Sequence, residues 1–335
     1  MKASVLFLCY NQENFVAQAI RSALNQDYND FELIVCDDGS TDNTVSILNH
    51  ELDKFPDHIK TIKIYNKHNV GLIKNFNLGL SKCVGDFVVL MAGDDVSEPN
   101  RIKTLSDEFT QNPKCELICS NWVFVDKDGK SMNAYGKHSE KSIFSYNYSK
   151  LSKGIYAGSP VCGAAAAFRT HLRDIFGPMI GGSYSEDNCY WIRALLVGNV
   201  HYIPQVLVQW RKHDKNIHNS DKKDKIKFIK YYFRFLKSHK FCSLQWRKDI
   251  DTALNKSFIS SEQKNKLLKC ICIDIERMRL RRLSLSSAPW QLWIGSCKKM
   301  LSFESSLKTY RRIFLGAFIL RISPLHKYFF WIKHI

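Results

Sequence analysis

Residues 86–95 read DFVVLMAGDD, an apolar run that ends on two adjacent carboxylates, Asp94 and Asp95. The same pattern recurs at FELIVCDDGS, where Asp37 and Asp38 follow an apolar run, and a third acidic pair, Glu186 and Asp187, opens EDNCYWIR. Neighbouring carboxylates repel. A polar loop after a buried strand accounts for one Asp. It accounts less well for a doubled Asp flush against a run that reads as buried on both faces. Tyr10 and Asn11 end another such run, SVLFLCYN. If these strands are parallel, Tyr10–Asn11, Asp37–Asp38 and Asp94–Asp95 converge on one sheet edge. Ligands of open α/β sheets, nucleotides among them, bind beyond the carboxyl ends of the strands.

The elements that must position these groups alternate along the chain. Strands are expected at 4–11, 31–40, 59–66, 86–95 and 116–126. Helices are expected in ENFVAQAIRSALNQ, STDNTVSILNHEL, GLIKNFNLGLSKC and, after Pro99, RIKTLSDEF. Asn11 is placed to cap the first helix, and Ser40 or Asp42 the second. Strands separated by helices imply a mostly parallel sheet. Residues 127–162 read as loops or a short hairpin. VCGAAAAFRTHL reads as a small-residue segment entering a helix, EDNCYWIRALLVGN as a helix with Glu186 and Asp187 at its start, and VHYIPQVLVQWRKH as a return strand. From about residue 222 the chain reads as helical, basic and aromatic.

The 335 residues and 45% apolar content can supply a real core, which excludes global disorder. The start, MKASVLFLCYNQEN, suits a first strand better than an export signal. No apolar run is long enough to span a bilayer. Eleven Cys at irregular spacing read as buried thiols of a reducing compartment, without a zinc pattern. Net charge is +17 and uneven: residues 1–210 carry 20 Lys and Arg against 23 Asp and Glu, residues 211–335 carry 29 against 9. A near-neutral front and a basic back point to two jobs.

Taken in order, VLFLCYNQENFVAQAIRSALNQ, ELIVCDDGSTDNT, NVGLIKNFNLGL, VVLMAGDD and EDNCYWIR resemble the family 2 glycosyltransferases, over about residues 1–220. The resemblance implies a GT-A-type α/β fold: a mostly parallel central sheet flanked by helices in a catalytic domain, 1–220, followed by a basic, mainly helical extension, 221–335. It implies inverting transfer of a sugar from a nucleotide diphosphate donor, a UDP-sugar, to a hydroxyl, with Mn²⁺ or Mg²⁺ as cofactor. By the family pattern Asp95 anchors the metal, and the cation offsets its repulsion with Asp94, which leans toward ribose or donor-sugar hydroxyls. Asp38 meets the base, with Tyr10, Asn11 and Glu13 around it; the alternative is that Asp37 and Asp38 only order the turn. Lys74 is a candidate phosphate contact. Asp187 matches the family's base, with Glu186 and Trp191 toward the acceptor; the alternative is an acidic helix start with Trp191 in the core. QWRKHDKNIHNS offers His213 to the metal and Arg211 or Lys212 to the diphosphate. A polyprenyl-phosphate sugar synthase shares the implied fold and stays open as an alternative. A nucleic-acid binder using the basic segment stays open too, although no such module is present and no nucleic acid is expected.

The C-terminal SLKTYRRIFLGAFILRISPLHKYFFWIKHI mixes cations with large apolar side chains, and its apolar stretch is too short to span a bilayer. It suits lying on an anionic surface, each cation there adding about 1 kcal/mol. The expected setting is therefore peripheral, on the cytoplasmic face of an inner membrane, with a lipid-linked or lipopolysaccharide glycan as acceptor. The alternative is a helical subdomain with a solvated basic face. Truncation after about residue 300 is expected to move the protein from the membrane to the soluble fraction on sedimentation. A full-length chain already soluble at low salt would contradict this placement.

Overall fold

A computed structural model describes residues 1–55, 59–136, 144–146, 161–182, 185–214, 216, 225–284 and 290–303. The sheet is built around β1 (Ala3–Cys9), whose residues are almost all buried because both faces are covered. It lies parallel to β2 (Phe31–Asp37) on one side and β4 (Phe87–Ala92) on the other, and β3 (Thr61–Tyr65) extends β2 in parallel. Alternation along β1 sends Val5 and Phe7 to one face and Leu6 to the other. The first face packs against α1 (Val16–Leu24), α2 (Thr44–Leu52) and α4 (Arg101–Gln111). The second packs against α3 (Leu72–Leu80), α5 (His171–Phe176) and α6 (Glu186–Val197).

The remaining strands make the sheet mixed. β9 (Ala166–Arg169) runs antiparallel between β4 and β6 (Cys115–Val125). β10 (Asn199–Arg211) runs parallel to β6, with its register broken between Ile203 and Val206, where Pro204 cannot donate to the ladder. β5 (Val96–Ser97), β7 (Ser131–Tyr135) and β8 (Phe144–Tyr146) add antiparallel pairings. The small-residue segment expected to enter a helix does lead into α5, but it gets there as a strand at 166–169. Helix propensity gives way there because neighbours on both sides offer ladder partners, and Ala166 and Ala167 fit between two helix layers. The loops or hairpin expected at 127–162 include β7, which folds back on β6; much of the segment lies outside the described residues.

The basic back half is helical as far as it is described: α7 (Lys225–Asn255), α8 (Ser261–Ser284) and α9 (Trp290–Phe303). The core does not break at residue 220, because Cys242, Trp246, Ile250 and Ile271 share one buried cluster with Leu6, Phe76 and Tyr190. The tail from 304 onward lies outside the described residues. No helix among the described residues is long and apolar enough to cross a membrane. All eleven cysteines are free thiols, ten of them buried.

The joint between α6 and α7 contains a buried ion pair. The Arg193 and Asp249 side chains are fully buried and paired, Nε to Oδ2 at 2.9 Å and Nη2 to Oδ1 at 3.2 Å. Arg193 also donates to the Gly177 carbonyl and Gln245 to Asp249. Removing one partner strands the other charge in the interior. Asp249→Ala is expected to cost about 3–5 kcal/mol in denaturant unfolding, while the paired replacement Arg193→Met with Asp249→Leu recovers most of it. Equal losses in the two variants would show that packing, not the stranded charge, sets the cost.

Candidate active site at the carboxyl edge of the sheet

The loop after β1 is stapled to the turn after β2. Asn11 takes a left-handed φ of +50°, which Asn tolerates. Its amide donates to Ser40 Oγ at 2.8 Å and its Oδ1 accepts from the Thr41 amide at 2.8 Å. It thus ties two loops together rather than capping α1. The Gln12 amide donates to Thr44 Oγ1, and Glu13 Oε2 accepts the Asn43 amide at 3.1 Å. Glu13 and Asp42 together satisfy the start of α2, since Asp42 Oδ1 accepts the Thr44 amide. Tyr10 is left exposed beside this staple.

Asp37 folds back onto Ser40, whose amide donates to Oδ1 at 2.7 Å. Asp38 reaches the other way, its two oxygens accepting the amides of Val70 at 2.8 Å and Gly71 at 3.0 Å. Burial holds the Asp38 carboxyl above its ordinary value, against the pull of these two amides. Gly39 between the turn and this loop has φ +73°, and a Cβ there would stand 2.4 Å from the His68 backbone, so only glycine fits. Lys74 is exposed on the first turn of α3.

At the end of β4 the doubled Asp is tied to the end of β10. Asp95 Oδ1 accepts the Arg211 amide at 2.9 Å, and Asp94 Oδ2 lies 3.0 Å from His213 Nε2 and 3.2 Å from Asn216 Nδ2. Burial, then the charge of Asp94, raises the Asp95 carboxyl well above its ordinary value. His213 rests on Phe15, ring centroids 4.4 Å apart. Among the described residues no three His, Cys, Asp or Glu side chains already stand as a metal cage. The donor set itself, two buried carboxylates beside an imidazole, suits a hard divalent cation that takes further oxygens from a diphosphate.

Three placements differ from the sequence expectations. Arg211 is buried, with Nε on the Asp94 carbonyl, Nη1 on the carbonyls of Asp126 and Lys127, and Nη2 on Gln18 Oε1 at 2.6 Å. Its donors are spent on the fold, so it fixes loops and does not clamp a diphosphate. Lys212, on the opposite face of β10, holds its Nζ 4.3 Å over the Phe124 ring and 5.2 Å over Trp210. Trp191 is wholly buried in the core. It shares a helix face with Asp187 but lies one turn deeper, where the helix is enclosed, and cannot floor an acceptor.

Asp187 is held where α6 begins. Oδ1 accepts from Ser185 Oγ at 2.8 Å and from the Asn188 amide at 2.8 Å; Oδ2 accepts the Gly163 amide at 3.2 Å. Burial, then the charge of Asp187, pushes the Glu186 carboxyl up to about 8. A Cβ on Gly163 would come within 2.9 Å of Glu186 Oε1. The three groups of carboxylates meet one edge through shared neighbours. The Asp38 amide bonds the Cys9 carbonyl, Gly93 abuts Cys9 and Gln12, and Arg101 bridges the Leu90 carbonyl of β4 to the Ala164 carbonyl, next to the Gly163 amide that meets Asp187.

Arg101 was not legible as a site residue. It is fully buried, and donates to Ser97 Oγ, to the Leu90 carbonyl and, at 2.9 Å, to the Ala164 carbonyl beside Gly163. Burial lowers its pKa to about 10, against the pull of Asp95. A cation in the first turn of a helix opposes the helix dipole, and that misfit was the available signal. A hollow of about 470 Å³ beside Asp86, Arg169 and Arg173 lies at the other sheet edge. Its arginines are committed to main-chain carbonyls, so the chemistry does not lie there.

The sequence profile of glycosyl transferase family 2 matches residues 4–176. An uncharacterized glycosyltransferase of Haemophilus influenzae is 28% identical over 235 residues, 68% of this chain and 71% of its own length. The crystal structure of S. aureus TarS superposes with a TM-score of 0.60 at 18% identity, covering 96% of this chain and 55% of that one. A shorter form, TarS 1-349 in complex with UDP-GlcNAc, gives 0.54 at 18% identity, covering 93% and 90%. The mannosyltransferase PcManGT from Pyrobaculum calidifontis, in complex with GDP-Man and Mn²⁺, gives 0.52 at 14%, covering 98% and 83%. At these identities the structures share the fold.

The raised Glu186 carboxyl makes stability depend on pH. The unfolded chain releases this proton near its ordinary 4.5, while the folded protein keeps it to about 8, so the contribution is full in acid and is lost as pH rises through that window. Glu186→Gln is expected to melt progressively higher than wild type as pH goes from about 5 to about 8. Parallel melting profiles across that range would contradict the assigned shift.

Proposed function

Because the chain belongs to glycosyl transferase family 2, we propose that it moves a sugar from a nucleotide diphosphate donor, a UDP-sugar, onto a hydroxyl of a glycan, with inversion at the anomeric carbon. The observation that carries this reading is the meeting of carboxylates from the ends of β2 and β4 and the start of α6 at one sheet edge, linked through Cys9, Gly93, Arg101 and Gly163. TarS in complex with UDP-GlcNAc and PcManGT with GDP-Man share the fold, and both hold nucleotide sugars.

Each residue has a job in this reading. Asp38 receives the base: its oxygens take the Val70 and Gly71 amides and keep lone pairs for a ring N–H. Tyr10, exposed beside it, offers a flat wall. Asp95, with Asp94 and His213 at hand, holds Mn²⁺ or Mg²⁺, which when bound offsets the charge of the leaving diphosphate. Arg101 and Arg211 hold that corner in shape. Lys74 is the remaining cation placed to meet phosphate from α3.

Asp187 takes the acceptor proton. A single displacement with inversion needs one base on the acceptor side. Asp187 Oδ1 is anchored by Ser185 and Asn188, while Oδ2, among the described residues, accepts the Gly163 amide alone and keeps a lone pair. Glu186, held protonated near neutral pH, adds no second negative charge there. The basic tail supports a lipid-linked or lipopolysaccharide acceptor at an inner-membrane surface.

Asp187→Asn is expected to keep UDP-sugar binding and to lose transfer by about a hundredfold or more, the scale of a lost general base. Asp95→Ala is expected to lose the Mn²⁺-dependent part of UDP-sugar binding in calorimetry. Unimpaired transfer by Asp187→Asn would remove the proposed base, and wild-type chain that binds no nucleotide sugar with Mn²⁺ would remove the whole reading.

A further inference from the structure

A second surface borders the same edge on the α6 side of the sheet. Alternation along β6 puts Trp122 and Phe124 on one face, and the parallel register sets Val208 opposite Trp122 and Trp210 opposite Phe124. The three rings form a connected group, with centroids 5.2 Å apart for Phe124–Trp210, 5.8 Å for Trp122–Trp210 and 6.4 Å for Trp122–Phe124. Trp122 is buried, Phe124 and Trp210 are half-buried, and the exposed Lys212 closes one end.

Two observations separate this group from ordinary core. Its buried neighbours form a small cluster of their own, including Cys162 and Ala165 and apart from the two cores that hold the helices. The indole N–H of Trp122, 5% exposed, has no hydrogen-bond partner among the described residues. A buried donor left unpaired is costly, and a ligand hydroxyl would satisfy it. The ledge also touches both reacting corners. Cys162 packs in its cluster, and the next residue, Gly163, donates to Asp187. Arg211, between Trp210 and Lys212, donates its amide to Asp95.

We infer that Trp122, Phe124, Trp210 and Lys212 form the subsite for a pyranose of the acceptor glycan, beside the base and on the side away from the nucleotide. The inference rests on the proposed transferase reading and deepens it. The apolar C–H face of a pyranose suits flat aromatic side chains, while its hydroxyls suit fixed donors at the rim. The exposed Lys212 Nζ supplies such a donor at the rim, while Trp122 Nε1 is a buried donor beneath the ledge. The occupant is carbohydrate, because apolar rings, an indole N–H and an ammonium side by side match a ring with one apolar face and polar edges.

The test uses the full chain on an array of immobilised bacterial polysaccharide oligosaccharides, with saturating UDP and Mn²⁺, and UDP affinity measured separately by calorimetry. Wild type is expected to bind at least one glycan. Trp210→Leu, which keeps an apolar side chain but loses the flat face, is expected to weaken that binding about tenfold or more, within the range of a lost aromatic anchor. Trp210→Phe is expected to retain most of it, and UDP affinity is expected to stay within about twofold in both. Equal glycan binding by wild type and Trp210→Leu, or no glycan binding by wild type that binds UDP, overturns the subsite. Wild type that fails to bind UDP sinks the transferase reading instead.

Discussion

Everything at this sheet edge depends on holding Asp94 and Asp95 side by side at the end of a buried strand. Two unit charges a few ångströms apart repel by about 4 kcal/mol at an effective dielectric of 20. Burial adds to this, and the Asp95 carboxyl is raised by both effects. The fold answers by bringing the end of β10 back across the sheet. The last residue of that strand gives a main-chain amide to Asp95 and a guanidinium to the Asp94 carbonyl, and His213 just beyond it gives an imidazole to the Asp94 carboxylate. Arg101 adds a buried cation from the other side. What these partners leave uncompensated is what a bound dication would offset. The pair is therefore expensive as scaffold and apt as a cation site, the same balance that the doubled Asp raises in the sequence.

The basic helices bear on this chemistry through packing rather than charge. Trp246 of α7 donates its indole N–H to the Asn188 carbonyl, and the Asn188 amide bonds Asp187. Gln245 accepts the Ile180 amide and donates to Asp249, which grips Arg193 about two turns along α6. The start of α6 is thus fixed by a helix from beyond the expected domain boundary. In the base role proposed for it, Asp187 would need such support, since a shift of about 1 Å in a reacting group can cost about a hundredfold in rate.

The front of the fold was legible because each buried strand there is a continuous apolar run and each helix carries its apolar face at helical spacing. The strand ends, and so the positions of Asp38 and Asp95, followed directly. β9 was not legible: four consecutive alanines favour helix locally, and only strands on either side draw the last two of them, Ala166 and Ala167, into a strand. Trp191 and Arg211 misled for a related reason. Spacing tells which face of an element a side chain occupies, not whether another element covers that face, and α6 and β10 are covered where those residues lie. The burial of Arg101 and the Trp122–Trp210 ledge arise from contacts 11 to 88 residues apart in sequence, which no local pattern records.

The reversal of β9 explains how Asp187 comes to be held at all. A parallel strand between β4 and β6 would present its carboxyl end at the site edge. Running antiparallel, β9 pairs Val89 with Ala167 and Cys119 with Ala166, so its amino end lies there instead. The short turn Gly163–Ala165 that precedes it is therefore carried to the same edge as Asp95. From there Gly163 presents an amide hydrogen to Asp187, and Ala164 presents a carbonyl to Arg101. One turn thus anchors a carboxylate on one side and a cation on the other. A side chain at Gly163 would make the Glu186 carboxyl shift, since a Cβ there would stand 2.9 Å from its Oε1. The strand least expected from the sequence is the one that connects the Asp94–Asp95 corner to Asp187.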